Sequence, residues 1–463
     1  MSDVYAEAYR QARDWLDGLD TAPMGARLSA PELQGAFDGP LPRTGQPADK
    51  VIRFLAETAR PGLMGNAGAR FYGWVNGGAV PSSLGADWLV SAWDQNAALS
   101  TVSPVASAIE AVAGKWMKAL LRLPEEASFA FTTGCQMAHM TALAAARHAV
   151  LADIGWDVET DGLMGAPPIR VFTSRNRHGS VERALRYLGL GTNALHPVAT
   201  DEMGRMRPEA LEAEMIAYQG PAILALNAGD LNVGAFDNFA DLIPIAKAHG
   251  AWVHVDGAFG LFAQTSKDKR HLTAGIEKAD SWATDGHKWL NVPFDCGMAI
   301  INNPDAHKAA MTLNADYITA TPDARDPIDW NLEWSRRARA IPVYAALMEM
   351  GAEGVEAMID RTSAHCRALI EGIGALPGGE IIARSEINQG LVRFVRAGTS
   401  EAENDAFTET VMQAVNASGE AFFTGTLWQG RRCMRVSVVS WRTGTDDIAR
   451  SLGAIKQVLA EKL

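Results

Sequence analysis

The sequence predicts an α/β protein in which a large domain with a mostly parallel sheet is followed by a smaller α+β domain. Two observations carry this prediction. Short apolar, β-rich runs alternate with helical segments from about residue 105 to residue 305, which is typical of a parallel sheet covered by helices. After about residue 310, a polar, loop-like stretch leads into a long helical segment and then into alternating runs. The 463 residues allow several lobes of this kind.

The first 60 residues show two helical patterns, at 4–16 and 48–59, joined by a connector rich in Pro and Gly. This opening is too short to bury a core by itself, so we expect it to pack on a partner subunit. The domains that we predict are an N-terminal helical segment, a large cofactor-binding α/β domain, and a lid loop with a small α+β domain. Their ranges are 1–70, 71–310 and 311–463.

The secondary structure of the two domains follows from the period of the apolar residues. Continuous apolar runs such as AILAL and AWVHV are typical of strands buried on both faces. The predicted strands of the large domain are 129–132, 170–174, 222–226, 251–255, 280–284 and 297–301. The predicted helices between them are 137–151, 180–188 and 239–249. The predicted elements of the small domain are a helix over 335–375, strands over 390–396 and 433–440, and a helix over 446–461.

Composition excludes several classes of function. The net charge of −12 makes nucleic acid an unfavourable partner. The four cysteines are scattered without CxxC spacing, so we expect neither a metal site nor a redox dithiol, and a cytoplasmic location suits them. The N-terminus lacks the pattern of a signal peptide, and no apolar run is long enough for a membrane helix, so we expect no membrane partner.

Lys288 is a candidate nucleophile. The run 281–284 reads as a strand that ends in a Gly-containing turn, and this turn presents His287 and Lys288. Trp289 shields the amine in part, and desolvation lowers the pKa of an ammonium group. The alternative is a solvated lysine in a turn, which these physical arguments alone favour because the chain has eleven lysines.

Two further segments have the form of a ligand site. Asp256 follows the predicted strand 251–255, and ligands of open α/β sheets bind at the carboxyl ends of strands. The strand 129–132 runs through Gly134 into a helix, and a helix N-terminus after a small loop favours phosphate. The alternative for Asp256 is a carboxylate that caps a turn.

These segments, in this order from about residue 50 to the C-terminus, resemble the group II amino-acid decarboxylases that use pyridoxal 5′-phosphate (PLP). That family includes aromatic L-amino acid decarboxylase and glutamate decarboxylase. The stretch ADSWATDGHKWLNVPFDCG resembles the motif around its Schiff-base lysine. The resemblance implies the aspartate-aminotransferase-like fold (fold type I), PLP as the cofactor, an amino acid as the substrate, and a homodimer with a shared active site.

The resemblance also assigns roles to residues. It implies that Lys288 forms the Schiff base, that Asp256 pairs with the pyridine nitrogen of PLP, and that His178 stacks on the cofactor ring. Cys135 and Gln136 depart from the family, where a small residue and a Ser or Thr are usual. The loop NAGDLNVGAFD carries Asp230 in the stretch where Thr is common. The remaining cofactor contacts that we expect are Gly134, Cys135, Gln136, Ala258, Thr284 and His287.

On the substrate side, the resemblance assigns the substrate carboxylate to Arg435, for which a structural salt bridge is the alternative. Tyr317, at the family's spacing from Lys288, is implied to return a proton to Cα, and the polar stretch after it suits a lid. The segment FYGWVNGG, with Trp74, Val75 and Asn76, is implied to line the side-chain pocket, although the family's His-Pro before it is missing. Its aromatic and Gly-rich character favours an aromatic substrate.

The predicted function is therefore PLP-dependent decarboxylation of an L-amino acid, with an aromatic one favoured, to the amine and CO2. Two alternatives stay open at this point. One is a carbon–carbon lyase or an aldehyde synthase of the same fold. The other is a cofactor-binding relative without activity.

Overall fold

The computed structural model describes residues 3–313 and 325–462. The chain divides into two compact units. The large unit comprises Gly77–Ala364 and Ser385–Gln389, and the small unit comprises Met1–Asn76, His365–Arg384 and Gly390–Leu463.

The helices of the described chain agree with most of the predicted ones and add several. Their bounds are α1 Val4–Gly18, α2 Ala30–Phe37, α3 Ala48–Ala59, α4 Pro81–Trp93, α5 Pro104–Leu120, α6 Cys135–Ala152, α7 Val158–Asp161, α8 Gly179–Tyr187, α9 Pro208–Ile216, α10 Phe239–Ala248, α11 Pro304–Met311, α12 Ala340–Gly374, α13 Glu401–Ser418 and α14 Thr445–Lys462. Gly351 interrupts α12 with a positive φ of 60°. No helix in this part of the chain has both the length and the apolar character to cross a membrane.

A seven-stranded sheet forms the centre of the large unit. Its strands are β1 Ser128–Thr132, β2 Arg170–Ser174, β3 Leu195–Val198, β4 Ala222–Asn227, β5 Trp252–Asp256, β6 Ser281–Asp285 and β7 Gly297–Ile301. They lie in the order β1-β7-β6-β5-β4-β2-β3. The five strands β3, β2, β4, β5 and β6 pair in parallel, whereas β7 is antiparallel to both of its neighbours. The predicted mostly parallel sheet is confirmed.

The helix α6 is largely buried in the core of the large unit. Residues such as Ala142 and Leu143 are inaccessible to solvent and belong to one apolar cluster with Val171 and Ile223 of the sheet. The alanine-rich sequence of α6 suits this position, because small side chains allow close packing and favour the helix. The N-terminus of α6 is thereby fixed beside the ends of the central strands, where Asp285 of β6 binds the backbone N–H of Cys135.

A buried charge cluster connects α5 to the segment that follows the undescribed residues. The carboxylate of Glu110, which is inaccessible to solvent, accepts hydrogen bonds from Arg325 and Arg336. A buried carboxylate needs a cationic or hydrogen-bonding partner, and the two guanidinium groups provide it for Glu110. The basic run at 336–339 is therefore largely internal: Arg339 is also buried and binds Asp295 at 2.8 Å.

The small unit is built on a four-stranded sheet. Its strands are β8 Gly379–Ala383, β9 Gln389–Phe394, β10 Thr424–Trp428 and β11 Arg431–Ser437, in the order β10-β11-β9-β8. The pairs β8/β9 and β10/β11 are antiparallel. The apolar faces of α12, α13 and α14 share one core with this sheet. The buried guanidinium of Arg70 connects the N-terminal segment to the rest of this unit. It donates hydrogen bonds to the backbone oxygen of Glu420 at 2.7 Å and to Oδ1 of Asp447 at 3.1 Å.

Candidate active site

The site is a cavity of about 620 Å³ in the large unit. It lies where β1, β2, β5 and β6 end, and these four strands run in the same direction. Loops after parallel strands converge at one edge of the sheet, which is where open α/β folds bind ligands. The residues that line the cavity are Gly134, Cys135, Gln136, His178, Gly179, Ser180, Glu182, Arg183, Arg186, Ala258, Asp285, His287 and Lys288.

Lys288 reaches this cavity from the turn after β6. Its side chain is 23% exposed, and its Nζ lies 2.9 Å from Oδ2 of Asp285. Burial lowers the pKa of the Lys288 amine, but the carboxylate of Asp285 acts in the opposite direction and prevails, so the net pKa is raised. The sequence-based expectation of a lowered pKa considered burial alone and missed the neighbouring carboxylate.

The backbone around Lys288 is closely supported. Asn291 has a positive φ of 57°, and its side-chain oxygen accepts the backbone N–H of Gly78 at 2.9 Å. A Cβ added at Gly77 would lie 2.2 Å from the carbonyl oxygen of Lys288, so only glycine fits there. The end of the segment FYGWVNGG therefore holds the lysine turn in place.

Asp256 ends β5, is buried, and is not among the residues lining the cavity. Its Oδ1 accepts the backbone N–H of Ala258 at 3.1 Å, and its Oδ2 lies 3.4 Å from Nε2 of His139. Burial alone would raise the pKa of this carboxyl group. The neighbouring His139, together with the nearby His178 and Lys288, more than offsets burial and holds the pKa of Asp256 below its usual range.

His178 caps the N-terminus of α8. Its Nδ1 accepts the backbone N–H of Ser180 at 3.2 Å and lies 2.6 Å from the hydroxyl oxygen of the same residue. In the neutral ring the proton is therefore on Nε2. The imidazole is exposed at the cavity and is held at one nitrogen only, so its face and its second nitrogen are available to a ligand.

The N-terminus of α6 provides donors at the other side of the cavity. The backbone N–H of Cys135 donates to Oδ1 of Asp285 at 2.6 Å. The side-chain nitrogen of Gln136 is buried and has no hydrogen-bond partner among the described residues. A Cβ on Gly297 would come within 2.4 Å of Gly134, so glycine is required for this close approach. The start of α6 thus presents the unpartnered side-chain nitrogen of Gln136 to the cavity at the positive end of a helix.

The other predicted cofactor contacts differ in their placement. Ala258 and His287 line the cavity. The ring of His287 stacks on Phe294 with 4.3 Å between centroids, and burial lowers its pKa. Thr284 is fully buried, and its hydroxyl has no partner among the described residues. Asp230 is buried within its own loop, where it accepts the backbone N–H of Asn232 at 2.7 Å, and it is not among the residues lining the cavity.

The predicted substrate residues lie outside the large unit. Arg435 is a buried residue of β11 in the small unit. Trp74 belongs to the same unit, is 51% exposed, and stacks on Phe422 with 5.8 Å between centroids. Val75 is buried, and Asn76 is half-buried. Tyr317, the predicted proton donor, lies outside the described residues.

Sequence reasoning missed three residues at the site. Asp285 contacts both Lys288 and the N-terminus of α6. His139 and His254 form a buried pair behind Asp256, with 2.8 Å between their nitrogens. The sequence contains a weak signal for two of them. Asp285 ends the strand three residues before Lys288, and His139 lies one helical turn after Cys135 on the same face of α6.

Comparison with known proteins supports the fold and identifies the family. A family model described as the pyridoxal-dependent decarboxylase conserved domain matches residues 31–396. The L-2,4-diaminobutyrate decarboxylase of Rhizobium meliloti (strain 1021) is 28% identical over 444 residues, covering 93% of this chain and 86% of the relative. The aromatic-L-amino-acid decarboxylase of Bacillus atrophaeus is 25% identical over 459 residues, covering 97% and 93%.

The fold itself is also found among solved structures. A crystal structure of Oryza sativa TDC with PLP and tryptamine superimposes with a TM-score of 0.92 and 20% identity. The match covers 100% of this chain and 99% of that one. At this level of identity, the likeness concerns the fold alone.

Proposed function

Because this chain belongs to the pyridoxal-dependent decarboxylases, which are PLP-dependent carboxy-lyases of amino acids with fold type I, we propose that it decarboxylates an aromatic L-amino acid. The products are the amine and CO2. The observation that supports the assignment of the site most strongly is the convergence of the Lys288 amine, the His178 imidazole and the α6 N-terminus on one cavity. Asp256 contacts two of the residues that line this cavity, Ala258 and Cys135.

The residues of this cavity fit PLP, the cofactor of the family. Its anionic phosphate matches the N–H groups at the start of α6 and the unpartnered side-chain nitrogen of Gln136. A cationic ring nitrogen matches the carboxylate of Asp256, whose pKa is lowered. Bound PLP supplies an electron sink for the electron pair left at Cα when CO2 departs. Gly134, Cys135, Ala258, Thr284 and His287 complete the contacts that we propose.

Each catalytic residue has a defined task in this proposal. Lys288 would hold the cofactor covalently through its amine. Asp256 keeps the ring nitrogen protonated, and His178 covers the face of the ring. Arg435 binds the substrate carboxylate through its two-pronged guanidinium, and Tyr317 returns a proton to Cα.

Asp285 adds a task that the sequence did not suggest. Its carboxylate accepts from the N-terminus of α6 and lies beside the Lys288 amine. When the amine of Lys288 is free and protonated, Asp285 is its counter-ion. The carboxylate therefore keeps the freed amine within the cavity during turnover.

The preference for an aromatic substrate rests on a cluster of aromatic rings, of which Trp74 is exposed. Trp74 stacks on Phe422, and Phe71 stacks on Phe422 with 4.9 Å between centroids. Trp74 remains half exposed, which leaves the indole free to contact a flat side chain. Phe294 is 57% exposed in the large unit beside His287. The relatives named above act on 2,4-diaminobutyrate and on aromatic amino acids, so the family alone does not decide between these substrates.

A panel of L-amino acids tests this preference. We expect CO2 and amine from aromatic substrates, and we expect Trp74→Ala to raise KM for them about threefold to tenfold, because an aromatic pair is worth about 0.5–1.5 kcal/mol. Trp93→Ala on α4 is the matched control, since Trp93 is similarly exposed and lies outside the segment. Faster turnover of 2,4-diaminobutyrate or glutamate would refute the aromatic preference, and an aldehyde product would identify an aldehyde synthase.

We also propose a homodimer in which α1 and α3 of the N-terminal segment pack on the partner subunit. These helices expose Tyr5, Tyr9, Val51, Phe54 and Leu55, with 48% to 82% of each residue accessible. Sedimentation equilibrium is expected to give twice the 49.6 kDa mass of one chain. Phe54→Glu is expected to weaken the dimer, because a charge buried in an apolar interface lacks a partner. A wild-type protein that sediments as a monomer at micromolar concentration would contradict the proposal.

A further inference from the structure

A chain of buried hydrogen-bonding groups runs behind Asp256, away from the cavity. Nε1 of Trp252 lies 2.9 Å from the hydroxyl oxygen of Ser281, which lies 2.9 Å from Nδ1 of His254. Nε2 of His254 lies 2.8 Å from Nδ1 of His139, and Nε2 of His139 lies 3.4 Å from Oδ2 of Asp256. The three middle residues are inaccessible to solvent. None of the catalytic roles proposed above uses this chain of hydrogen bonds.

The first member of the chain determines the direction of its hydrogen bonds. An indole N–H can only donate, so the Ser281 oxygen accepts from Trp252. The Ser281 hydroxyl can donate its own hydrogen to one acceptor. Besides Trp252, its side-chain partner is Nδ1 of His254, so this nitrogen accepts the hydrogen. With Nδ1 accepting, neutral His254 carries its proton on Nε2 and donates it to His139.

The same logic fixes the proton on His139. Its Nδ1 accepts from His254, so Nε2 carries the hydrogen and faces Asp256. The opposite direction would leave the buried Ser281 hydroxyl hydrogen without an acceptor. It would also turn the lone pair of His139 Nε2 toward a carboxylate. Both ends of the chain therefore favour one arrangement, which is the one that presents an N–H to Asp256.

We propose that His139 is a positioning residue that presents its Nε2 hydrogen to Asp256 and so keeps this carboxylate ionised and oriented toward the cofactor. The inference rests on the proposed pairing of Asp256 with the pyridine nitrogen. A neutral donor stabilises the carboxylate without adding a cation that would compete with the protonated ring for it. The sulfur of Cys135, 3.4 Å from the same nitrogen and 3.9 Å from Asp256 Oδ1, completes the buried end of the site.

The test uses holoenzyme that carries PLP labelled with ¹⁵N in its ring, so that the protonation of the ring nitrogen is read directly from its resonance. His139→Leu removes the donor. His139→Gln keeps an amide N–H for Asp256 and an acceptor for His254. His307→Leu is the matched control, because His307 is equally buried and hydrogen-bonded at both nitrogens, to Ser128 and Trp330, and does not contact Asp256.

We expect the resonance in His139→Leu to move toward that of a neutral pyridine and the dissociation constant of PLP to rise about tenfold to hundredfold, as expected for loss of a hydrogen bond to a charged group. The value of kcat should fall in the same range with KM little changed. His139→Gln should stay within about threefold of the wild type in all three readouts. His307→Leu should lower thermal stability while leaving the resonance at the wild-type position.

A wild-type resonance and PLP affinity in His139→Leu would overturn the inference. If that variant does not fold, His139→Phe serves instead, because it fills the space of the imidazole without a donor; an unchanged resonance there is equally contradictory. Asp256→Asn separates the two proposals. If it shifts the resonance and His139→Leu does not, only the role of His139 is wrong. If Asp256→Asn leaves the resonance unchanged, the pairing of Asp256 with the ring is wrong, and the inference fails with it.

Discussion

Lys288→Ala is expected to abolish decarboxylation, with kcat falling about a thousandfold or more, because residues that form covalent intermediates contribute effects of this size. Without the amine, PLP is held only through its phosphate and ring contacts. The variant should therefore lose the visible absorbance of the covalently bound cofactor. The release of CO2 from the best L-amino acid of the panel and the absorbance spectrum of the dialysed protein measure the two effects.

Two controls separate chemistry from structure in this prediction. Lys288→Arg retains a cation for Asp285, which lies 2.9 Å from the wild-type amine, but it cannot form the covalent bond, so it should be as inactive as the alanine variant. Lys308→Ala removes an exposed lysine whose ion pair with Asp329 spans 3.7 Å, and it should retain wild-type activity. A Lys288→Ala protein that turns over substrate at the wild-type rate would refute the assignment.

Asp256→Asn is expected to lower kcat about a hundredfold to a thousandfold, in the range of other losses of electrostatic stabilisation at a reacting centre. The amide has the size of the carboxylate, so the end of β5 should keep its packing. It lacks the charge that keeps the ring nitrogen protonated, and the electron sink is weakened as a result. The measurement is kcat per bound PLP, which corrects for any loss of cofactor.

Asp237→Asn is the matched control for this substitution. Asp237 is also buried, accepts the backbone N–H groups of Asn227 and Met206, and is not among the residues lining the cavity. Burial raises its pKa to about 6. We expect the control to lose thermal stability while keeping kcat per bound PLP. If the two variants lose kcat to the same extent, the effect at Asp256 is structural rather than catalytic.

Much of the large sheet was predictable because buried parallel strands have short, continuous apolar sequences. All six predicted strands of this sheet are present, with bounds that differ by no more than one residue. The seventh, β3, was missed because its sequence, LHPV, contains a histidine and a proline and lies at the edge of the sheet. The helix α5 was missed as well, since its apolar residues surround a buried Glu110 whose partners, Arg325 and Arg336, lie more than 200 residues away.

The site was predictable only where one segment carries the signal. Lys288 was predicted as the Schiff-base lysine because its motif and neighbours occur in the order of the family. Asp285 could not be assigned, since its task depends on the N-terminus of α6, which comes 150 residues earlier in the chain. His139 and His254 face each other across a helix and a strand. Contacts of this kind are created by the packing of elements, so the sequence contains at most a weak signal for them.

The central claim is that Lys288 holds PLP through a covalent bond from its amine. Reduction of the purified holoenzyme with borohydride, followed by proteolysis and mass spectrometry, tests it most directly. We expect the yellow colour to be lost and the peptide containing Lys288 to gain the mass of a reduced pyridoxyl phosphate group. A protein that takes up no PLP, or an adduct on a lysine other than Lys288, would contradict the account.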